Sequence, residues 1–153
     1  MAHFEYSSVI PASREKVFDY ASDMENVPEI MSSDYKIEPT SPVTKIKKGS
    51  EYELRITRMG VSVLWGVVIE EIEPGHFVRN RQSHGPFALW VHTQKFEDHG
   101  QETLVTDFIE YDVPFGLFGK LADDLFVRRD LQSIFAHRHE KIANHFEINN
   151  DAK

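Results

Sequence analysis

The chain has 153 residues, 41% of them hydrophobic and 12% aromatic, which suits one domain with a real core and argues against disorder. Its formal net charge of −8 comes from acids spread along the chain, which disfavours nucleic acid and anionic membrane surfaces as main partners. The sequence holds no cysteine, so disulfides and thiol catalysis are excluded.

The opening, Met1-Ala2-His3-Phe4-Glu5, has neither the basic region nor the apolar run of a signal peptide. No window approaches the ~20 apolar residues that a membrane span requires. A cytoplasmic protein is the expectation. His3 to Ile10 alternates and stops at Pro11, which predicts a first strand. Ser13 offers an N-cap for a short helix through Val17, Phe18, Tyr20 and Ala21. Asp23 offers another for a second short helix containing Pro28 and ending near Met31.

From Tyr35 onward the pattern is strands and turns. Tyr35 to Glu38 reads as a strand broken by Pro39. Ser50–Arg58 and Val61–Glu71 form a hairpin pair around Met59-Gly60, which puts Tyr52, Leu54 and Ile56 on one face with Val63, Trp65 and Val67. Pro74-Gly75 turns the chain into a strand from His76 to Gln82, and Gly85-Pro86 breaks it before Phe87–Phe96. With a four-residue turn at Asp98-His99-Gly100-Gln101, His92 lies opposite Asp107, Trp90 opposite Ile109 and Ala88 opposite Tyr111. The strand parity across His84-Gly85-Pro86 stays open, since a bulge there would flip it.

The last element is a helix from about Leu117 to Phe146, roughly 45 Å long at ~1.5 Å per residue. Its apolar stripe is Leu117, Leu121, Leu125, Leu131, Phe135, Ile142 and Phe146, with Arg128 and Arg138 in the two gaps. The sum is an α+β arrangement in one domain, 1–148, with 149–153 as a frayed tail: a curved antiparallel sheet of about six to seven strands around a long C-terminal helix, with two short helices after the first strand.

This order of elements resembles the helix-grip fold of the START/polyketide-cyclase (SRPBCC) superfamily. The opening from Phe4 to Phe18 is similar to the superfamily's usual start. The run Gln82 to His92, with Asp107, Tyr111, Pro114, Gly116, Phe135, Arg138 and His139, resembles the ligand-binding-like branch associated with cell-division-inhibitor proteins. The resemblance implies a hydrophobic cavity between sheet and helix, and no single reaction. No dinucleotide-binding GxGxxG occurs, so epimerase chemistry of fused relatives does not carry over, and no cofactor is implied.

Three functions follow as expectations. The first is binding or transport of a small hydrophobic, lipid-like or polyketide-like molecule. Its ligand residues are Trp65, His84, Phe87, Trp90, His92, Tyr111, Phe135 and Arg138. The second is a cyclase, aromatase or dehydratase in the same cavity, with His92, Asp107 and Tyr111 moving protons. The third is a protein-interaction module using the apolar Phe115-Gly116-Leu117-Phe118 loop, which is equally readable as a gate to the cavity. Each residue has a plainer reading beside it. His92 with Asp107 makes a cross-strand polar pair, the aromatics fill a core, and Arg138 bridges to Asp107, Glu110 or Asp112. The histidines lack metal-binding spacing, so no metal is expected. Ligand identity and oligomeric state have no sequence signal.

Overall fold

The computed structural model describes residues 1–42, 45–114 and 127–151. Strand β1 (Ala2–Ile10) alternates as a half-buried strand must, with Phe4, Tyr6, Ser8 and Ile10 turned inward. Helix α1 (Arg14–Ala21) follows. Ser13 occupies its N-cap position with extended backbone, but its side chain makes no capping bond. Asp23 does cap, accepting from the Glu25 N–H at 3.0 Å. It opens a 3₁₀ turn (Met24–Asn26) that runs into α2 (Val27–Ile30), where Pro28 lies in the first turn and forfeits no helical bond.

The remaining strands are β2 (Lys36–Pro39), β3 (Glu51–Arg58), β4 (Val61–Glu73), β5 (Phe77–His84), β6 (Leu89–His99) and β7 (Glu102–Asp112). They form one antiparallel seven-stranded sheet in the order β1-β7-β6-β5-β4-β3-β2. The β3–β4 register is the predicted one, with Tyr52 opposite Val67, Leu54 opposite Trp65 and Ile56 opposite Val63. Met59 and Gly60 both have positive φ, 52° and 78°, the backbone that a two-residue hairpin turn needs to match strand twist.

The β6–β7 register differs from the expected one. The turn is Gly100-Gln101 rather than four residues, so Gln94 faces Asp107, His92 faces Ile109 and Trp90 faces Tyr111. A slip of two residues keeps every side chain on its face, so the inward set survives. The open parity before β6 is settled by the β5–β6 ladder, where Asn80 faces His92 and even-numbered positions turn inward on both strands. Against β4 there is a bulge, with Gly66 opposite His84 and Val67 opposite Gln82, which leaves Ser83 as the extra residue.

Helix α3 (Arg128–Asp151) spans roughly 36 Å, lies against β1, and continues past Ile148, where the sequence predicts a frayed tail. Its buried stripe is Leu131, Phe135, His139, Ile142 and Phe146. His139, not Arg138, fills the second gap, and Arg128 is exposed. The expected first turns of the helix, with Leu117, Leu121 and Leu125, and the Phe115–Phe118 loop lie outside the described residues. Two apolar clusters hold the helix to the sheet. One joins Ile10, Val17, Phe18, Phe96, Val105, Ile142 and Phe146; the other joins Phe4, Trp90, Ile109, Tyr111, Leu131 and Phe135.

Candidate functional site: a cavity under the helix

Between the clusters the sheet curves away from α3 and leaves a cavity of about 320 Å³. Its floor is the inner face of the sheet, with Tyr52, Leu54 and Ile56 from β3, Trp65 and Val67 from β4, and Trp90, His92 and Gln94 from β6. Met24, Val27 and Met31 close it beside α2, and Leu131, Phe135 and Arg138 of α3 form the roof. The walls are mainly apolar, as the alternation in β3 and β4 requires once their inner face meets a void instead of a helix.

Aromatic rings make one end. Trp65 meets Trp90 edge-on at 5.0 Å between centroids, and Phe87 sits 4.8 Å from Trp90 and 5.6 Å from Trp65. Phe87 is held there by Gln82, whose side chain donates to the Phe87 carbonyl at 2.7 Å and accepts from the Phe87 N–H at 3.2 Å. One side chain thus completes the ladder where Gly85-Pro86 interrupts it.

A buried polar chain runs beside the cavity. His92 Nε2 lies 2.5 Å from Asp107 Oδ1, His139 Nε2 lies 2.5 Å from Asp107 Oδ2, and His139 Nδ1 lies 2.5 Å from Ser8 Oγ. Asp107 is fully buried, and His92 and His139 are nearly so. Burial alone pushes the Asp107 carboxyl up, but the hydrogen bonds from His139 and His92, reinforced by their charge, hold it well below the usual carboxylate range. An ionised carboxylate only accepts, so both rings present Nε2–H to it. The other nitrogen of His92 is then the one left for a molecule in the cavity.

Among the described residues Arg138 has no such partners. It makes no ion pair with Asp107, Glu110 or Asp112: Asp107 is taken by the two imidazoles, and Glu110 and Asp112 stand on the opposite face of β7. The Arg138 guanidinium lies over the Phe135 ring, 5.2 Å from its centroid, and its Nε is buried without a hydrogen-bond partner. It also stands near Tyr52, whose hydroxyl burial pushes up to about 12 against the opposing charge of Arg138.

Of the residues expected at a ligand, Trp65, Phe87, Trp90, His92, Phe135 and Arg138 line the cavity. Tyr111 does not; it is fully buried behind Phe87 and Trp90. His84 is outside altogether, exposed on the outer face and bonded through Nε2 to Glu53 at 2.7 Å. Its ring crosses β4 over Gly66, where any Cβ would collide with it. The residues that the sequence does not assign to the site are His139, which enters there only through the family resemblance, and Ser8 and Gln94. Two signals point to the first pair: a serine and an aspartate at inward positions of apolar strands require a buried polar partner.

Among the described residues there is no group of three or more His, Cys, Asp or Glu able to hold a metal. No described helix is long and apolar enough to cross a membrane.

The family model described as "polyketide cyclase / dehydrase and lipid transport" matches residues 1–147. The chain belongs to that family. Among solved structures it is similar to a protein of Thermus thermophilus at 21% identity and TM-score 0.70, covering 92% of this chain and 97% of that one. It is also similar to a START superfamily protein of Mycobacterium smegmatis (14% identity, TM-score 0.69, 95% and 97% covered). A third is major latex-like protein 151 of Panax ginseng (14% identity, TM-score 0.71, 94% and 96% covered). At these identities the likeness is one of fold. No curated protein matches the chain.

Proposed function

We propose that the protein binds, and so carries or senses, a small and mainly apolar molecule in the cavity between sheet and helix. The observation that supports this is the cavity itself. At about 320 Å³ it is far larger than packing defects in a close-packed interior, and its walls are aromatic and aliphatic with few polar groups. It is roughly twice the ~150 Å³ engineered void that takes up benzene, so the fitting ligand has about the bulk of two fused rings. A thermal-shift screen of compounds of that size tests the reading. A binder present at 100 times its Kd stabilises by about 2.7 kcal/mol. Leu54→Trp, which fills the cavity floor, is expected to abolish every such shift. No stabilisation of the native protein by any apolar compound of this size refutes the reading.

One observation favours a second reading, proton-transfer chemistry on a polyketide-like molecule as in a cyclase, aromatase or dehydratase. His92 lines the cavity while the depressed carboxylate of Asp107 grips its far nitrogen, the arrangement that orients a general base. Native protein and His92→Ala are compared for water loss from β-hydroxyketone substrates by mass spectrometry. Equal turnover, or none with either protein, removes this reading and leaves the binding one intact.

A further inference from the structure

We infer that the molecule bound in this cavity is an acid, an apolar body carrying one carboxylate that Arg138 holds. The inference rests on the binding reading and adds the chemical class of the ligand. Among the described residues, three polar side chains that line the cavity have a buried nitrogen with no hydrogen-bond partner: Arg138 Nε, Gln94 Nε2 and Trp65 Nε1. All three are donors. None is an unpartnered buried acceptor, and Gln94, at 7% exposed, is as deeply set as the core around it. A buried donor left unmade costs more than an ordinary bond returns, so a native wall with this bias is matched to something that brings acceptors.

The charges decide which acceptor. A guanidinium is a cation that only donates, and Arg138 has no carboxylate within ion-pair distance among the described residues. Asp130, the one acid among the described lining residues, and Asp107 behind them are committed elsewhere. Asp107 bonds His92 and His139, and Asp130 pairs with Arg58 at 3.3 Å. Among the described residues the Arg138 charge is therefore unanswered by any carboxylate, and it is set over the ring of Phe135. A planar guanidinium presents a fork that fits a carboxylate with two parallel bonds, and the loss of hydration on both sides is offset only by a partner of opposite charge. A neutral alcohol or hydrocarbon of the same shape satisfies the volume and leaves the charge unanswered.

The experiment is isothermal titration calorimetry at neutral pH with 2-naphthylacetic acid and its neutral counterpart 2-(2-naphthyl)ethanol, against native protein, Arg138→Gln and Gln94→Leu. The acid is expected to bind native protein about 10- to 100-fold more tightly than the alcohol, the margin of a charge-assisted bond over none. Arg138→Gln is expected to erase that margin while keeping the alcohol's affinity, and Gln94→Leu to narrow it. Equal affinity of acid and alcohol for native protein overturns the inference while leaving the binding reading in place, and this comparison needs no variant to fold. A preference that survives Arg138→Gln also overturns it. Binding of neither compound to native protein overturns both.

Discussion

Arg138 and His139 are neighbours on one helix, and their surroundings are opposites. His139 turns toward β1 and β7, where Ser8 and Asp107 satisfy both ring nitrogens and no space remains. Arg138 turns toward β3–β6, where the sheet has curved away and its Nε meets no acceptor among the described residues. The first side is sealed and is a structural joint between helix and sheet. The second is open and is where a ligand fits. A step of one residue, about 100° around the helix, separates the part of the molecule built for stability from the part left incomplete.

If that contrast holds, substitutions on the two sides have unlike consequences. The largest effect is expected from Asp107→Ala, which strands two buried imidazoles and removes the charge they surround. A loss of about 3–5 kcal/mol in urea unfolding is expected, and a loss below about 1 kcal/mol means that the joint is not one. His139→Ala comes next, at about 1–3 kcal/mol, because it leaves the Ser8 hydroxyl and one Asp107 oxygen unpaired. In a double-mutant cycle with His92→Ala the two losses are expected to be non-additive, since both rings share one carboxylate. The acid limb of stability follows from the same group. The folded Asp107 carboxyl lies below its unfolded value of about 3.9, so its contribution is complete above that pH and is lost as pH falls toward the lower folded value. Asp107→Asn is expected to flatten that part of the stability–pH curve, and an unchanged acid limb contradicts the assignment. Smallest of all is Arg138→Met. It removes a charge that no carboxylate among the described residues pairs with, and unfolding free energy is expected to stay within about 0.5 kcal/mol of native or to rise. A loss as large as that of His139→Ala refutes the contrast.

Much of the fold was legible because its signals are local. Met59-Gly60 and the alternation around it set the β3–β4 register without help from the rest of the chain, and inward parity in β6 and β7 is the same for a two-residue turn as for a four-residue one because the slip between them is even. The stripe of α3 was legible only to within one residue. Positions 138 and 139 are each three or four residues from both Phe135 and Ile142, so periodicity cannot choose between them. The choice is made by Ser8 and Asp107, which are 99 residues apart in the chain (107 − 8) and meet only when β1 pairs with β7. The outward position of His84 is hidden from the sequence for a related reason. The bulge at Ser83 and the bare backbone of Gly66 send its ring across the outer face to Glu53, and neither is visible as a pattern in the chain. The aromatic wall was readable as residue types, but the unpartnered donors were not, because what a nitrogen lacks depends on everything packed around it.

Native mass spectrometry of the freshly purified protein, before and after incubation with apolar acids, tests the central claim most directly. A cavity that holds a ligand predicts a chain carrying one small organic adduct, retained under gentle ionisation and released on denaturation. The bare chain mass in every spectrum, including those taken after incubation, contradicts it.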